Sequence, residues 1–230
     1  MRKFRLFCAT SAVVIGMSML PMTSFAAAGQ KFSVGNGRNQ YLGDSEGYSY
    51  EIWIDTTGGS GSMTLGSGGT FDTEWSAQVS RGNFLARRGK TYDRTKKADQ
   101  IENTVLTYAA DYSAQGGNSR LCVYGWFTDP LVEYYIIEDW KNWRPTGNSK
   151  TVTIDGAEYE IFTNQHTGPT ILGDTRTFQQ YFSVRKQTRN SGSITVTDHF
   201  KAWAQNGMQI GNLTEIALNV EGWESSGRAN

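Results

Sequence analysis

The 230-residue chain has little of several things. It holds two cysteines, Cys8 and Cys122, too few for a disulfide framework. Its two histidines, His166 and His199, stand apart from Cys122 and from each other, which leaves no cluster with metal-ligand spacing. Charge of one sign is missing too: 22 basic residues face 22 acidic ones, so no basic footprint for a nucleic-acid backbone exists. Four prolines are scattered, with no proline-rich linker, and the charged fraction is only 19%.

Long apolar runs are absent except at the start. Arg2, Lys3 and Arg5 precede the apolar stretch 6–20, and Ser24-Phe25-Ala26 supplies small residues, Ser24 and Ala26, at the two positions a signal peptidase reads. This pattern predicts a secretory leader over residues 1–26, since the stretch falls short of the roughly 20 residues a membrane span needs. Three basic residues leave with the leader, and so does Cys8. The mature chain then carries 19 basic against 22 acidic groups and a single thiol, which can form no intrachain disulfide. Cys122 sits in the strand-like run 121–126 and is read as packing.

What is abundant is glycine (26) and aromatic residues (11 Phe, 11 Tyr, 7 Trp), together with threonine and valine. That is the composition of strands and turns, not of disorder. Alternating apolar and polar residues predict strands at 47–55, 70–79, 82–88, 101–111, 119–128, 131–139, 150–155, 157–163, 177–187, 193–198 and 214–223. Turns such as Thr57-Gly-Gly, 66–69, Gly116-Gly-Asn and Asp155-Gly156 separate them. Many short strands predict an all-β antiparallel sandwich or jelly roll. One helix is expected at about 199–207, with Asp198 as its N-cap, Phe200, Trp203 and Ala204 as its apolar stripe and Gly207 at its end. Residues 27–45 read as an irregular N-terminal arm, and 46–230 as the main domain.

Two carboxylates stand out by their surroundings. In the run 131–138 the two-residue period puts Leu131, Glu133, Tyr135 and Ile137 on one face. A mid-strand acid among apolar neighbours is costly unless it is bonded or used. Glu138, near the strand end, reads as solvated. In the run 218–223, Asn219, Glu221 and Trp223 share a face. Two such acids on separate strands suit glycoside hydrolysis, one as nucleophile or base and the other as an acid of raised pKa. The competing reading is edge-strand carboxylates on a solvated face.

The order of motifs then adds a resemblance. Tyr124-Gly-Trp126, the run 130–140 beginning Pro130-Leu-Val-Glu133, Arg144-Pro-Thr-Gly147, Gln180-Tyr-Phe-Ser-Val-Arg185, the stretch 199–208 and Val220-Glu-Gly-Trp-Glu-Ser-Ser-Gly227 stand as they do in glycoside hydrolase family 11. From about Gly47 to Gly227 the chain resembles the endo-β-1,4-xylanases of that family. The resemblance implies a jelly roll of two twisted sheets with a single helix around a long cleft. It also implies a secreted monomer that acts on xylan without cofactor, metal, nucleic-acid or membrane partner. By position, Glu133 matches the nucleophile and Glu221 the acid/base of a retaining mechanism, for which carboxylates ~5.5 Å apart are expected. Tyr124 and Tyr135 match tyrosines at the cleaved bond, and Trp53 a tryptophan that stacks on a xylose. Gln180 and Pro169 match thumb residues; Trp126 and Phe182 line the same wall. Asn83 falls where the family has Asn or Asp beside the acid/base; asparagine adds no second ionisable group there, which implies a near-neutral optimum, and its amide is expected to hydrogen-bond Glu221.

Two departures are visible. The thumb, 161–178, keeps Pro169-Thr-Ile171 but has 164–168 where an arginine-containing stretch is usual, one residue shorter, with His166 near the arginine's place. The chain also ends at Asn230, where family domains usually add a few strand residues. The rival readings are a non-catalytic carbohydrate-binding jelly roll and a related retaining β-1,4-glucanase; the motifs around Glu133 and Pro169 favour xylan.

Overall fold

The computed structural model describes residues 27–55 and 58–230, so the expected leader lies outside the described residues, as does Thr57 of one expected turn. The strands are β1 (Lys31–Val34), β2 (Gln40–Ser45), β3 (Tyr48–Ile54), β4 (Ser60–Leu65), β5 (Phe71–Ser76), β6 (Asn83–Thr91), β7 (Val105–Ala109), β8 (Ser113–Thr128), β9 (Val132–Lys141), β10 (Lys150–Ile154), β11 (Ala157–Pro169), β12 (Thr175–Arg185), β13 (Ser191–Thr195), β14 (Asn212–Leu213) and β15 (Glu215–Ala229). Among the described residues a single α-helix, α1 (Val196–Gln205), interrupts them.

The long strand β15 organises the molecule. One edge pairs with β8 along nearly its whole length, and the other pairs with β6 over 215–223 and with β5 over 226–229. The partner therefore changes beside Glu224, whose φ is 50° and whose carboxylate accepts from the Arg81 amide at 2.8 Å. The fork divides the strands into two layers. One runs β2-β3-β6-β15-β8-β9-β12-β11-β10, and the other β1-β4-β5-β15. All pairs are antiparallel except β9 with β12, which are parallel because the β10–β11 excursion intervenes between them. A separate ribbon joins β7 and β13. The jelly roll expected from the sequence is the fold observed.

Alternation along the central strands sorts their side chains onto two faces. Leu121, Val123 and Phe127 of β8 and Val132, Tyr134 and Ile136 of β9 enter the main core, covered by Phe200 and Trp203 of α1. Phe127 stacks on Tyr134 at 4.9 Å, and Phe200 meets both rings edge-on at 5.3 and 5.2 Å. Cys122, Tyr124 and Trp126 with Tyr135, Ile137, Phe162, Phe178 and Phe182 form a second aromatic cluster on the opposite face. Gly125 is required between them, because a Cβ there would lie 2.3 Å from the Glu215 carbonyl and 2.7 Å from the Tyr134 hydroxyl.

Four expectations need correction. The arm 27–45 is not irregular: β1 pairs with β4 and β2 with β3, so it belongs to the sheets. Strand β4 went unread because Gly61 and flanking serines mask its alternation. The helix starts three residues early, at Val196, with Thr195 rather than Asp198 as N-cap and no side-chain cap bond. Asp155 instead fixes the N-cap residue itself, accepting from the Thr195 amide and hydroxyl at 2.7 Å each, while Asp198 pairs with Lys201. Gly207 does close the helix: at φ +81° it donates to Ala204 while Met208 donates to Trp203, a Schellman ending. Finally, Glu138 is not solvated but fully buried on the core side. Its carboxylate accepts from the hydroxyls of Tyr159 (2.6 Å) and Tyr108 (3.2 Å) and pairs with Arg189 and, at 3.8 Å, Arg185.

Candidate active site

Each conspicuous carboxylate has its own cross-strand row on the aromatic face. Trp126 of β8, Glu133 of β9, Gln180 of β12 and Asn164 of β11 lie side by side. A second row runs through Trp53 of β3, Leu85 of β6, Glu221 of β15 and Arg120 of β8. Between them lies a row containing Tyr124, Tyr135 and Phe182.

Glu133 is 8% exposed and both its oxygens are fixed by neutral donors. The Tyr124 hydroxyl donates to Oε1 at 2.7 Å and the Gln180 amide to Oε2 at 2.6 Å. Trp126 donates its indole N–H to the Tyr124 oxygen at 2.8 Å, so that phenol's proton is directed at the carboxylate. Burial, with the Glu133 charge second, pushes the Tyr124 phenol well above its ordinary range and keeps it a donor. Tyr135 is raised for the same two reasons.

Glu221 is held differently. Burial raises its pKa, Arg120 opposes this, and the Glu133 charge raises it further. The rows of the two acids are six residues apart along β8, so the backbone register alone does not join them; their side chains nonetheless feel each other's charge. The buried Oε2 of Glu221 accepts no hydrogen bond, and its nearest cation is Arg120 Nε at 3.3 Å. Asn83 shares the face, two residues along β6 from Leu85, which lies opposite Glu221, but no hydrogen bond joins them and its buried Oδ1 has no partner.

The other expected residues are placed as follows. Trp53 is half-buried on this face, between the core-facing Ile52 and Ile54. Trp126 is buried against Phe178 at 4.8 Å, a wall residue and not an exposed platform. Phe182 stacks on Tyr135 at 5.3 Å and 7°, and on Phe162 at 5.0 Å. Pro169 lies exposed at the end of β11, opposite Thr175, where the turn is tied by Thr170 to Asp174. His166 is exposed, edge-on to Phe178 at 5.5 Å, and its charge reaches Glu221. Cys122 is buried in the same cluster as Tyr124 and Tyr135, with its thiol pushed up to about 12, chiefly by burial.

Sequence reasoning missed the two arginines on this face. Arg87 pairs with Glu51 (2.6 Å) and Glu215 (3.0 Å) and covers the Tyr124 ring at 4.8 Å. Arg120 covers the Tyr135 ring, also at 4.8 Å. Burial alone would lower both guanidinium pKa values, yet their acidic neighbours hold them above the ordinary value. Alternation from Leu85 and from Cys122 would have placed both among the site residues. Among the described residues no three His, Cys, Asp or Glu side chains gather as metal ligands.

Comparisons with known proteins identify the family and the fold. The profile of glycosyl hydrolases family 11 matches residues 45–230. A bifunctional endo-1,4-beta-xylanase A of Neocallimastix patriciarum is 61% identical over 213 residues, covering 89% of this chain and 35% of that protein. A bifunctional xylanase/deacetylase of Pseudobutyrivibrio xylanivorans is 49% identical over 195 residues, 84% of this chain and 31% of that one. The chain thus spans about a third of the length of these relatives. The solved family 11 xylanase from Neocallimastix patriciarum superposes with a TM-score of 0.86 at 60% identity, covering 87% of this chain and 96% of the other.

Proposed function

The chain belongs to glycosyl hydrolase family 11, and from the site geometry we propose that it is an endo-β-1,4-xylanase that cleaves xylan by retaining double displacement. The observation behind this reading is the division of labour between its two acids. Glu133 is a carboxylate aimed by neutral donors at both oxygens, and Glu221 a buried carboxyl whose proton is favoured by its surroundings.

On this reading Glu133 attacks the anomeric carbon while Glu221 protonates the departing glycosidic oxygen. The Tyr124 and Gln180 hydrogen bonds hold the nucleophile without neutralising it, since neither donor brings a full charge. Glu221, now ionised, takes a proton from water, which opens the glycosyl-enzyme and restores both groups. Trp53 offers a half-buried ring for a sugar face, and Tyr135 and Asn83 flank the reacting pair. Pro169 and its neighbours close from the thumb side.

Residues 1–26 carry the pattern of a secretory leader, which supports an exported enzyme acting on polysaccharide outside the cell. Residues 46–230 form its catalytic domain, with β1 and β2 joined to it. Reducing ends released from xylan, carboxymethylcellulose and mannan test the activity. Release from xylan well above the other two, with the β-anomer formed first by proton NMR, is expected. No release from xylan, or the α-anomer first, rejects the reading.

A further inference from the structure

Arg120 lies directly across the β15–β8 ladder from Glu221. Its Nε is 3.3 Å from Oε2, the buried oxygen that accepts no hydrogen bond. The guanidinium is also held by an aromatic ring. It lies 4.8 Å over the Tyr135 ring, which is stacked on Phe182, itself stacked on Phe162. A column of three rings thus anchors the cation, and the carboxylate is the partner left free to respond.

We propose that Arg120 is a positioning residue for Glu221, fixing the direction of the acid and setting the pH at which its proton is lost. This rests on the acid/base reading of Glu221. The contact is a charge contact without an aligned hydrogen bond, in contrast to the close pair of Glu138 with Arg189. A tight bidentate pair would lock Glu221 as an anion. A looser one leaves both protonation states accessible, which a group that must give and regain a proton requires.

The charged and titratable groups that influence Glu221 come from four strands: Arg120 and Cys122 of β8, Glu133 and Tyr135 of β9, Arg87 of β6 and His166 of β11. Of these, only Arg120 makes an ion pair with it among the described residues. A cation favours the ionised acid, so its removal extends the protonated state to higher pH and moves the alkaline limb of the rate profile upward.

The test compares kcat/KM on xylan against pH for wild type, Arg120→Gln and Arg120→Lys, alongside each protein's unfolding midpoint. The expected result is an alkaline limb raised by about one pH unit in the glutamine variant and by less than half of that in the lysine variant, which keeps a cation. A folded glutamine variant with an unmoved limb overturns the proposal. The Arg120 Nε–H resonance of the wild-type protein gives a second measurement that needs no variant to fold. It should titrate with the midpoint of the alkaline limb, and a resonance flat across that limb also overturns the proposal. Absence of xylan hydrolysis by wild type would instead count against the proposed activity, while the resonance would still report whether Arg120 follows Glu221.

Discussion

Strand β9 carries two buried glutamates five residues apart that face opposite ways, and they are held by opposite means. Glu138, on the core side, is fully buried, accepts from two tyrosine hydroxyls and is matched by two arginines. Glu133, on the aromatic face, accepts from one hydroxyl and one amide, and its charge is matched by no directly bonded cation among the described residues. Burying an ion is tolerable when an opposite charge is fixed beside it, and such a group is then chemically spent. A carboxylate fixed by neutral donors keeps its negative charge available, and the cost of burying it is tolerated where it is used. On the proposed mechanism, Glu138 therefore contributes stability and Glu133 reactivity.

The sharpest way to break the comparison is to remove each charge in turn. Glu133→Gln should lower kcat on xylan by on the order of 10⁴-fold or more, as loss of a nucleophile does, with the unfolding midpoint unchanged or raised. A variant within tenfold of wild type would remove Glu133 from the mechanism. Glu138→Gln should do the reverse. It leaves two arginines facing a neutral amide, at a cost of about 3 kcal/mol, the lower end for a broken buried pair because Arg189 is partly exposed. For a chain of this size that is roughly 6–12 °C in Tm. Activity per folded molecule should stay within about twofold of wild type at temperatures well below the midpoint. A large loss of kcat without loss of stability would show that the two faces are coupled.

Tyr124→Phe probes the same contrast more gently. It removes the donor to Glu133 Oε1 and leaves the Trp126 N–H without its acceptor. Loss of one buried hydrogen bond of this kind is worth about 1–3 kcal/mol, so kcat should fall by about 5- to 150-fold while KM changes little. An unchanged kcat would mean that the phenol orders the wall and not the nucleophile.

How much of this was legible beforehand follows from which interactions are local. Period-two alternation around Glu133 and Glu221 placed both on the correct faces, and turn residues located most strands to within a few positions. Glu138 was misread because its compensating charges come from Arg185 and Arg189, about fifty residues further along. Its surroundings also depend on a register shift opposite, between Leu121 and Cys122. Neither leaves a trace in the local pattern. The arm 27–45 was missed for a similar reason: its strands are short and glycine-interrupted and exist through pairing with β3 and β4. Arg87 and Arg120 were passed over because charged residues in strands read as solvent-facing, whereas here each is stacked on a tyrosine and matched to acids. Asn83 was placed on the right face, but its expected bond to Glu221 is not made.

The smallest expected effect concerns the thumb, where the sequence departs from the family pattern. His166 is exposed and touches Phe178, and its charge acts on Glu221 in the direction that favours ionisation. An imidazole supplies that charge only towards acid pH, whereas a guanidinium supplies it throughout. His166→Arg should therefore lower the alkaline limb of kcat/KM, the opposite sense to Arg120→Gln. The displacement should be only a few tenths of a pH unit, because an exposed charge is screened by water and salt. Raising the ionic strength should shrink it further. Apparent xylan affinity above pH 7 should be equal or better, since the longer cationic side chain adds hydrogen-bond donors beside the sugar. Profiles from pH 5 to 9 at two salt concentrations decide the matter: superimposable curves would make His166 a surface residue of the hairpin, and an upward shift would mean that the imidazole acts on Glu221 by packing against Phe178 and not by charge.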